Sequence, residues 1–421
     1  MKFNKWTLGL AAVGVVSLAG VVQAEERSNP VMTALASTQI SGYVDTVAIW
    51  RPGNQNSQQA LGGGWNVPGS VNGNPNLAAA GVGFDKADGF NLNVVGLTIE
   101  KPLDEAEWAA GYKVDLLFGP DAVNWNQSAN VATGVGSSDF AIKQAYVTLR
   151  APLGNGLDFK LGTFDSVVGY ESFTSYKNPT WSRSYGWEIE PTQHTGALVS
   201  YKFNDIISVA AGIANTAQSG INVRGARPNG SLVSESEKTY MGAIALTAPE
   251  SLGFLAGSTL YAGVVDGLNG VVSQTDTTWV YVGGTLNTPI ECLKLGMAWD
   301  YRMTKDTPNV AAPAANESSY AQTLAGYLTW QAAEKLKVIG RIDWAKGTVG
   351  TWYPVNILEV NPKNQLLALT GTLDYSLWEN VVTRLEFRWD RDLTDQHNGS
   401  GPFGFDDQNN YYLALNVIYK F

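Results

Sequence analysis

The sequence predicts an all-β chain closed into a transmembrane antiparallel β-barrel of about 16 strands, and three observations predict it. Charged residues fill only 16% of the 421 positions, against roughly 25% in a soluble domain. The chain holds 45 Gly, 14 Trp, 18 Tyr and 14 Phe, which suits strands and turns better than helices. Segment after segment alternates with period two, one row apolar and the next polar, the signature of strands rather than helices. Mean hydropathy is −0.09. Beyond residue 24 no stretch approaches the ~20 apolar residues of a spanning helix.

Lys2 and Lys5 form a basic start, Leu8 to Val22 an apolar run, and Val22-Gln23-Ala24 a small-residue cleavage site. Residues 1–24 therefore read as a secretory signal peptide, too short and wrongly flanked for a membrane anchor. Residues 25–39 become a periplasmic amino-terminal segment and 40–421 the barrel. Removing the two lysines takes the formal net charge from −10 to −12, and an acidic balance argues against nucleic acid as a partner. A single cysteine, Cys292, excludes an intrachain disulfide and a multi-cysteine metal site. His194 and His397 lack metal-ligand spacing, so no metal or cofactor is expected.

The alternation predicts strands over 40–50, 89–100, 108–118, 139–150, 157–165, 194–203, 206–214 and 238–247. It continues over 258–266, 277–286, 292–303, 319–330, 336–345, 365–375, 380–390 and 410–421. In one segment Leu293, Leu295, Met297, Trp299 and Tyr301 alternate with Lys294, Gly296, Ala298, Asp300 and Arg302. In another, Val381, Thr383, Leu385, Phe387 and Trp389 alternate with Arg384, Glu386, Arg388 and Asp390. The last segment carries Tyr411, Leu413, Leu415, Val417, Tyr419 and Phe421 on one face and ends on that aromatic residue. A soluble sandwich would bury the apolar row, whereas a membrane barrel turns it to lipid and lines water with the polar row. Trp299, Trp344 and Trp389 fall toward strand ends that lead into long loops, and Trp330, Tyr375, Tyr419 and Phe421 toward the other ends. Two aromatic girdles result. Seven short connections interleave with eight mostly longer ones, as periplasmic turns and external loops do.

Particular residues are also familiar. Ile40-Ser41-Gly42-Tyr43-Val44-Asp45, the run Asn91 to Glu105, Gly162 to Phe173 and Asn178 to Gly196 resemble the putative β-barrel porin-2 (OmpL-like) family. The resemblance implies a porin of the bacterial outer membrane, exported through its signal peptide and surrounded by outer-membrane lipids. It implies a water-filled channel for passive diffusion of ions and small hydrophilic solutes, with no enzymatic activity and no particular solute specified. A possible homotrimer is implied too, and the carboxyl-terminal strand would engage the barrel-assembly machinery.

On this alternation the inward cations are Lys113, Lys143, Arg150, Lys160, Lys202, Lys294, Arg302, Lys337, Arg341, Arg384, Arg388 and Lys420. The inward anions are Asp45, Glu100, Asp115, Asp158, Asp300, Asp343, Asp374, Glu386 and Asp390. The strongest pore-lining candidates are Lys113, Asp115, Lys294, Asp300, Arg302, Arg341, Asp343, Arg384, Glu386, Arg388 and Asp390. Twelve cations against nine anions leave a basic wall. Either it sets up a transverse field that orients solutes, or Arg302 with Asp300, Arg341 with Asp343, and Arg384 and Arg388 with Glu386 pair and stiffen the wall.

Between the fifth and sixth strands, Asp165 to Gln193 combines Asp165, Glu171, Lys177, Arg183, Glu188 and Glu190 with Phe173, Tyr176, Trp181, Tyr185 and Trp187. So many large aromatics in a connection need something to pack against. The expectation is an inward-folded constriction loop; a cap on the outside or a contact with a neighbouring subunit is the other reading. Catalysis has little support: a hydrolase needs a serine activated by a histidine, and only His194 and His397 could serve. Asp390, Asp392 and Asp395 lack the spacing and glycine of a calcium loop, and Gly62-Gly63-Gly64 has no helix behind it to hold phosphate. An outer-membrane barrel hydrolase and a plugged structural or adhesive barrel are the two rivals.

Overall fold

The computed structural model describes residues 37–52, 89–104, 106–123, 139–217, 221, 237–268, 276–308, 316–348, 352, 364–394 and 408–421. The predicted signal peptide 1–24, Gly62 to Gly64, Asp395 and His397 lie outside the described residues. The first eight strands are β1 (Gln39–Trp50), β2 (Gly89–Lys101), β3 (Ala109–Phe118), β4 (Phe140–Ala151), β5 (Leu157–Asp165), β6 (Gln193–Lys202), β7 (Ile207–Ala214) and β8 (Thr239–Thr247). The second eight are β9 (Thr259–Leu268), β10 (Asp276–Asn287), β11 (Leu293–Pro308), β12 (Asn316–Ala333), β13 (Leu336–Gly347), β14 (Asn364–Tyr375), β15 (Val381–Asp392) and β16 (Asn409–Lys420).

Each strand pairs antiparallel with its chain neighbours, and β1 pairs with β16 to close the barrel. Closure removes every open edge, which lipid requires of a spanning backbone. At the seam the Gly42 N–H donates to the Phe421 carbonyl at 2.8 Å and the Phe421 N–H to the Gly42 carbonyl at 2.9 Å. Gly42 is fixed by this contact, because a Cβ there would collide with the Phe421 ring.

Burial follows the alternation with the soluble order inverted. Along β15, Arg384, Glu386, Arg388, Asp390 and Asp392 are buried while Leu385 and Phe387 are exposed. The apolar row of β11, with Leu295 and Met297 exposed, behaves alike. Trp299 and Trp344 both pair with Leu324 and so share a level. Trp330, Tyr375, Tyr419 and Phe421 are exposed toward the opposite end. Seven tight connections, the longest being 248–258, occupy the end that also holds the first residue of β1 and the last of β16. In the turn 376–380, Asn380 has φ of 64°, a left-handed conformation its short side chain tolerates.

Predicted and observed strands agree within a few residues except at one hairpin. β11 runs on to Pro308 and β12 starts at Asn316, with a register shift between Thr304 and Thr307. The apolar alternation stops near Met303, but the hydrogen-bonded ladder continues. A hydropathy pattern ends where the apolar row ends, and pairing need not.

Candidate functional site

The inward charges and the segment 166–192 meet in one place. In a ring of sixteen strands, β13, β14 and β15 lie six to eight places from β5 and β6, so a contact between 166–192 and any of the three crosses the barrel. Many such contacts exist. Arg341 of β13 donates from Nη1 to the Ser182 carbonyl at 2.6 Å, from Nη2 to the Arg183 carbonyl at 3.0 Å, and to Thr180 Oγ1. Arg384 donates to the Ser175 and Asn178 carbonyls at 2.9 and 2.8 Å, and Arg388 to the Arg183 carbonyl. In return the Trp181 and Ser182 N–H groups donate to the Glu386 carboxylate at 2.7 and 2.9 Å. The Tyr185 hydroxyl donates to Asp390 at 2.7 Å. These wall side chains satisfy the backbone of a segment whose only regular pieces are a 3₁₀ turn, Ser175–Lys177, and a short helix α1, Tyr185–Ile189. Without them its burial would strand polar groups.

The apolar half of the seat lies on the other strands. Val167 and Val168 pack with Leu198, Ala210, Met241, Tyr261 and Val265 of β6 to β9. Tyr170 stacks on Tyr327 at 4.4 Å, Trp181 meets Tyr412 edge to face, and the Trp279 indole N–H donates to the Ile189 carbonyl. Here the expectation of a uniformly polar inner row fails. The inward rows of β7 to β10 carry no charge, running through Ala210, Met241, Ala245, Tyr261, Val265, Trp279 and Tyr281. The reason is packing: those positions face protein rather than water.

Ion pairing also departs from the sequence reading. Arg341 does pair with Asp343, at 2.7 Å, and holds Glu171 of the loop at 3.2 Å. Arg384 pairs with Asp374 at 2.8 Å and Arg388 with Asp390 at 2.7 Å. Glu386 receives loop N–H groups instead of either arginine, because the loop lies closer to its oxygens. Arg302 and Asp300 do not pair; Asp300 accepts from Thr323 at 3.3 Å and faces Glu190. A Cβ on Gly186 would collide with the Asp300 carboxylate, which keeps α1 close to β11. Burial first, and then the Asp300 carboxylate beside it, hold the Glu190 carboxyl well above the usual carboxylate range.

On the near wall, Lys113 lies 3.4 Å from Glu100 and 3.7 Å from Asp115, and Lys143 holds Asp165 at 2.5 Å. Arg183 and Glu188 are buried, and the Arg183 guanidinium donates to the Phe173 carbonyl at 2.6 Å and sits over the Trp187 ring. Lys177, Lys294 and Lys337 are exposed. Sequence reasoning missed the aromatic partners Tyr327, Tyr412 and Trp279, and weighed Asp392 only as a calcium-loop residue, whereas it is buried on the inward row of β15 and accepts from Thr394 at 2.7 Å. The gap in the inward charges between Lys202 and Lys294 was the available signal for the apolar seat.

Ser166 Oγ and His194 Nε2 lie 3.0 Å apart, a distance that a serine and its base use. His194 is fully buried, however, and its Nδ1 faces the Thr216 carbonyl at 3.4 Å, with no carboxylate behind it. The contact pins the loop base to β6. Among the described residues no group of three or more His, Cys, Asp or Glu forms a metal cage.

A family model described as "Putative beta-barrel porin-2, OmpL-like" matches residues 37–421. No curated protein matches by sequence. Among solved structures, the anion-selective porin from Comamonas acidovorans is similar with a TM-score of 0.58 at 11% identity, covering 91% of this chain and 99% of its own. The outer membrane channel DcaP of Acinetobacter baumannii has a TM-score of 0.55 at 12% identity, with 91% and 97% covered. Salmonella typhi OmpF, in complex with daunomycin, has a TM-score of 0.53 at 11% identity, again with 91% and 97% covered. At such identities the likeness is one of fold.

Proposed function

The chain belongs to the putative β-barrel porin-2 (OmpL-like) family, and from that premise we propose that it is a non-enzymatic outer-membrane channel whose cross-section is set by the segment 166–192. A sixteen-strand barrel encloses an aqueous channel by its diameter alone. The observation that carries the reading is the crossing of that segment from β5 to the arginines of β13 and β15. It leaves passive diffusion of ions and small hydrophilic solutes through whatever lumen the segment does not fill.

In this account the inward residues divide by role. Arg341, Asp343, Arg384, Glu386, Arg388 and Asp390 hold the loop, with Glu171 and Arg183 as its own anchors. Lys113, Asp115, Lys294, Arg302 and the exposed Lys177 face the path. Asp300, Glu188 and Glu190 lie where α1 meets the wall, and Asp165 fixes the loop's start through Lys143. Trp299, Trp330, Trp344, Tyr375, Trp389, Tyr419 and Phe421 anchor the barrel at the two lipid interfaces. Export by the segment 1–24, assembly through β16 and packing as a homotrimer complete the proposal.

Proteoliposome swelling with sugars of rising size tests it. The native protein admits small sugars and excludes large ones, and shortening the loop over Lys177 to Trp181 raises the cutoff. No swelling with any sugar, in vesicles holding folded barrel, would favour a plugged barrel instead.

A further inference from the structure

We infer that the channel prefers anions, taking small solutes with carboxylate, phosphate or halide charge, because the lumen's acids are engaged while a set of its cations is not. This deepens the channel reading and rests on it. Of the inward acids, Asp45 accepts from Asn93 and Asn416, both at 2.7 Å. Glu100 and Asp115 face Lys113, and Asp158 takes Arg150 at 2.6 Å. Asp343, Asp374 and Asp390 each hold an arginine. Glu386 is capped by two loop N–H groups and by Thr372 at 2.7 Å, Asp392 accepts from the Thr394 N–H and hydroxyl at 2.8 and 2.7 Å, and Asp300 lies against Thr323 and Glu190.

Of the inward wall cations, Lys294, Arg302, Lys337 and Lys420 have no acid partner among the described residues, and neither has the exposed Lys177 of the loop. Register explains each of the wall positions. Lys294 stands between Asn287 and Thr329, and Arg302 between Trp279 and Ala321, all uncharged. Lys337 does neighbour Asp374, but that carboxylate is taken by Arg384 at 2.8 Å. Lys420 pairs across the seam with Tyr43 and lies 5.5 Å from the Tyr176 ring.

Their positions follow the path of a solute. Arg302 is two residues beyond Asp300 toward the long-loop end, level with Ile189 of α1, whose carbonyl takes the indole N–H of the register partner Trp279. Lys177 belongs to the 3₁₀ turn of the loop itself. Lys337 lies four residues to the periplasmic side of Arg341, Lys294 is the second residue of β11 and Lys420 the last of β16. Positive charge therefore stands at the crossing and on its periplasmic side. Field focusing in a narrow, low-dielectric bore makes such charges count for more than they would on an open surface.

The test is the zero-current potential of the purified protein in a planar bilayer across a tenfold KCl gradient. Chloride should permeate several-fold better than potassium, with a larger ratio at about 0.01 M salt, where the Debye length is about 30 Å. Lys294→Gln with Lys337→Gln should lower that ratio at least twofold, Lys177→Gln should lower it further, and Lys→Arg at the same positions should restore it. Heat-shifted gel mobility reports that each variant is a folded barrel. An open native channel that passes potassium as well as chloride or better overturns the inference alone, as does an unchanged ratio in the folded lysine variants. Absence of any conductance from folded protein overturns the channel reading and the inference together.

Discussion

Arg341→Gln removes the most connected side chain beneath the loop. In the native protein its guanidinium reaches Asp343 at 2.7 Å, Glu171 at 3.2 Å, the Ser182 and Arg183 carbonyls at 2.6 and 3.0 Å, and Ser182 Oγ at 3.0 Å. Glutamine supplies an amide that is shorter and uncharged. It leaves the Asp343 carboxylate without its cation, while Glu171 keeps only the Ser184 N–H at 2.8 Å and the Tyr327 hydroxyl at 3.3 Å. Deleting one partner of a buried ion pair costs about 3–5 kcal/mol. The sixteen-strand ladder does not pass through that side chain, so the loss falls on docking of the loop, and each ~1.4 kcal/mol is a tenfold change in the docked population. A loop docked by a few kcal/mol therefore spends a measurable fraction of time released. Limited proteolysis of the detergent-solubilised barrel should cut within 170–190 at least tenfold faster in the variant than in native protein. Heat-shifted gel mobility should be unchanged. Arg391→Gln, on the exposed row of β15, is the control and should change nothing. Equal cleavage rates in native and Arg341→Gln protein would refute the argument that the arginines seat the loop.

Replacing Leu295 or Leu385 by Arg should lower refolding stability into lipid by about 2–4 kcal/mol near the bilayer midplane, measured by denaturant titration. Ala298, on the opposite face, is buried against the aromatic cluster of the lumen, so Ala298→Arg should disrupt packing rather than merely tune conductance. Deleting Phe421 removes two seam hydrogen bonds and should reduce outer-membrane assembly without blocking export, read by fractionation. Gly42→Val, which meets the Phe421 ring, should do the same. The raised carboxyl of Glu190 predicts a pH effect: neutral Glu190 favours the docked loop. This contribution is full below the ordinary glutamate pKa of about 4.3 and is lost as pH rises through the higher docked value. Loop cleavage should therefore accelerate toward alkaline pH, and Glu190→Gln should flatten that profile.

Barrel and register were legible because lipid enforces a strict rule on alternate residues, and a slip of one position would turn every charge outward. Leu385 against Glu386, or Leu295 against Asp300, is therefore readable without coordinates. The loop was legible only as an excess of aromatics between Asp165 and Gln193. Its partners were not, since Trp181 reaches Glu386 across 205 residues and no local pattern encodes such a distance. The same limit explains the pairing errors. Two charges on alternate positions of one strand share a face, and whether Arg388 takes Glu386 or Asp390 depends on a loop that approaches from across the barrel.

Single-channel recording in a planar bilayer, comparing native protein with the variant shortened over Lys177 to Trp181, tests the central claim most directly. The account predicts discrete conductance steps for both, larger in the shortened protein. Identical steps in the two would place the narrowest section away from the loop, and no steps in either, with the barrel folded, would contradict the channel itself.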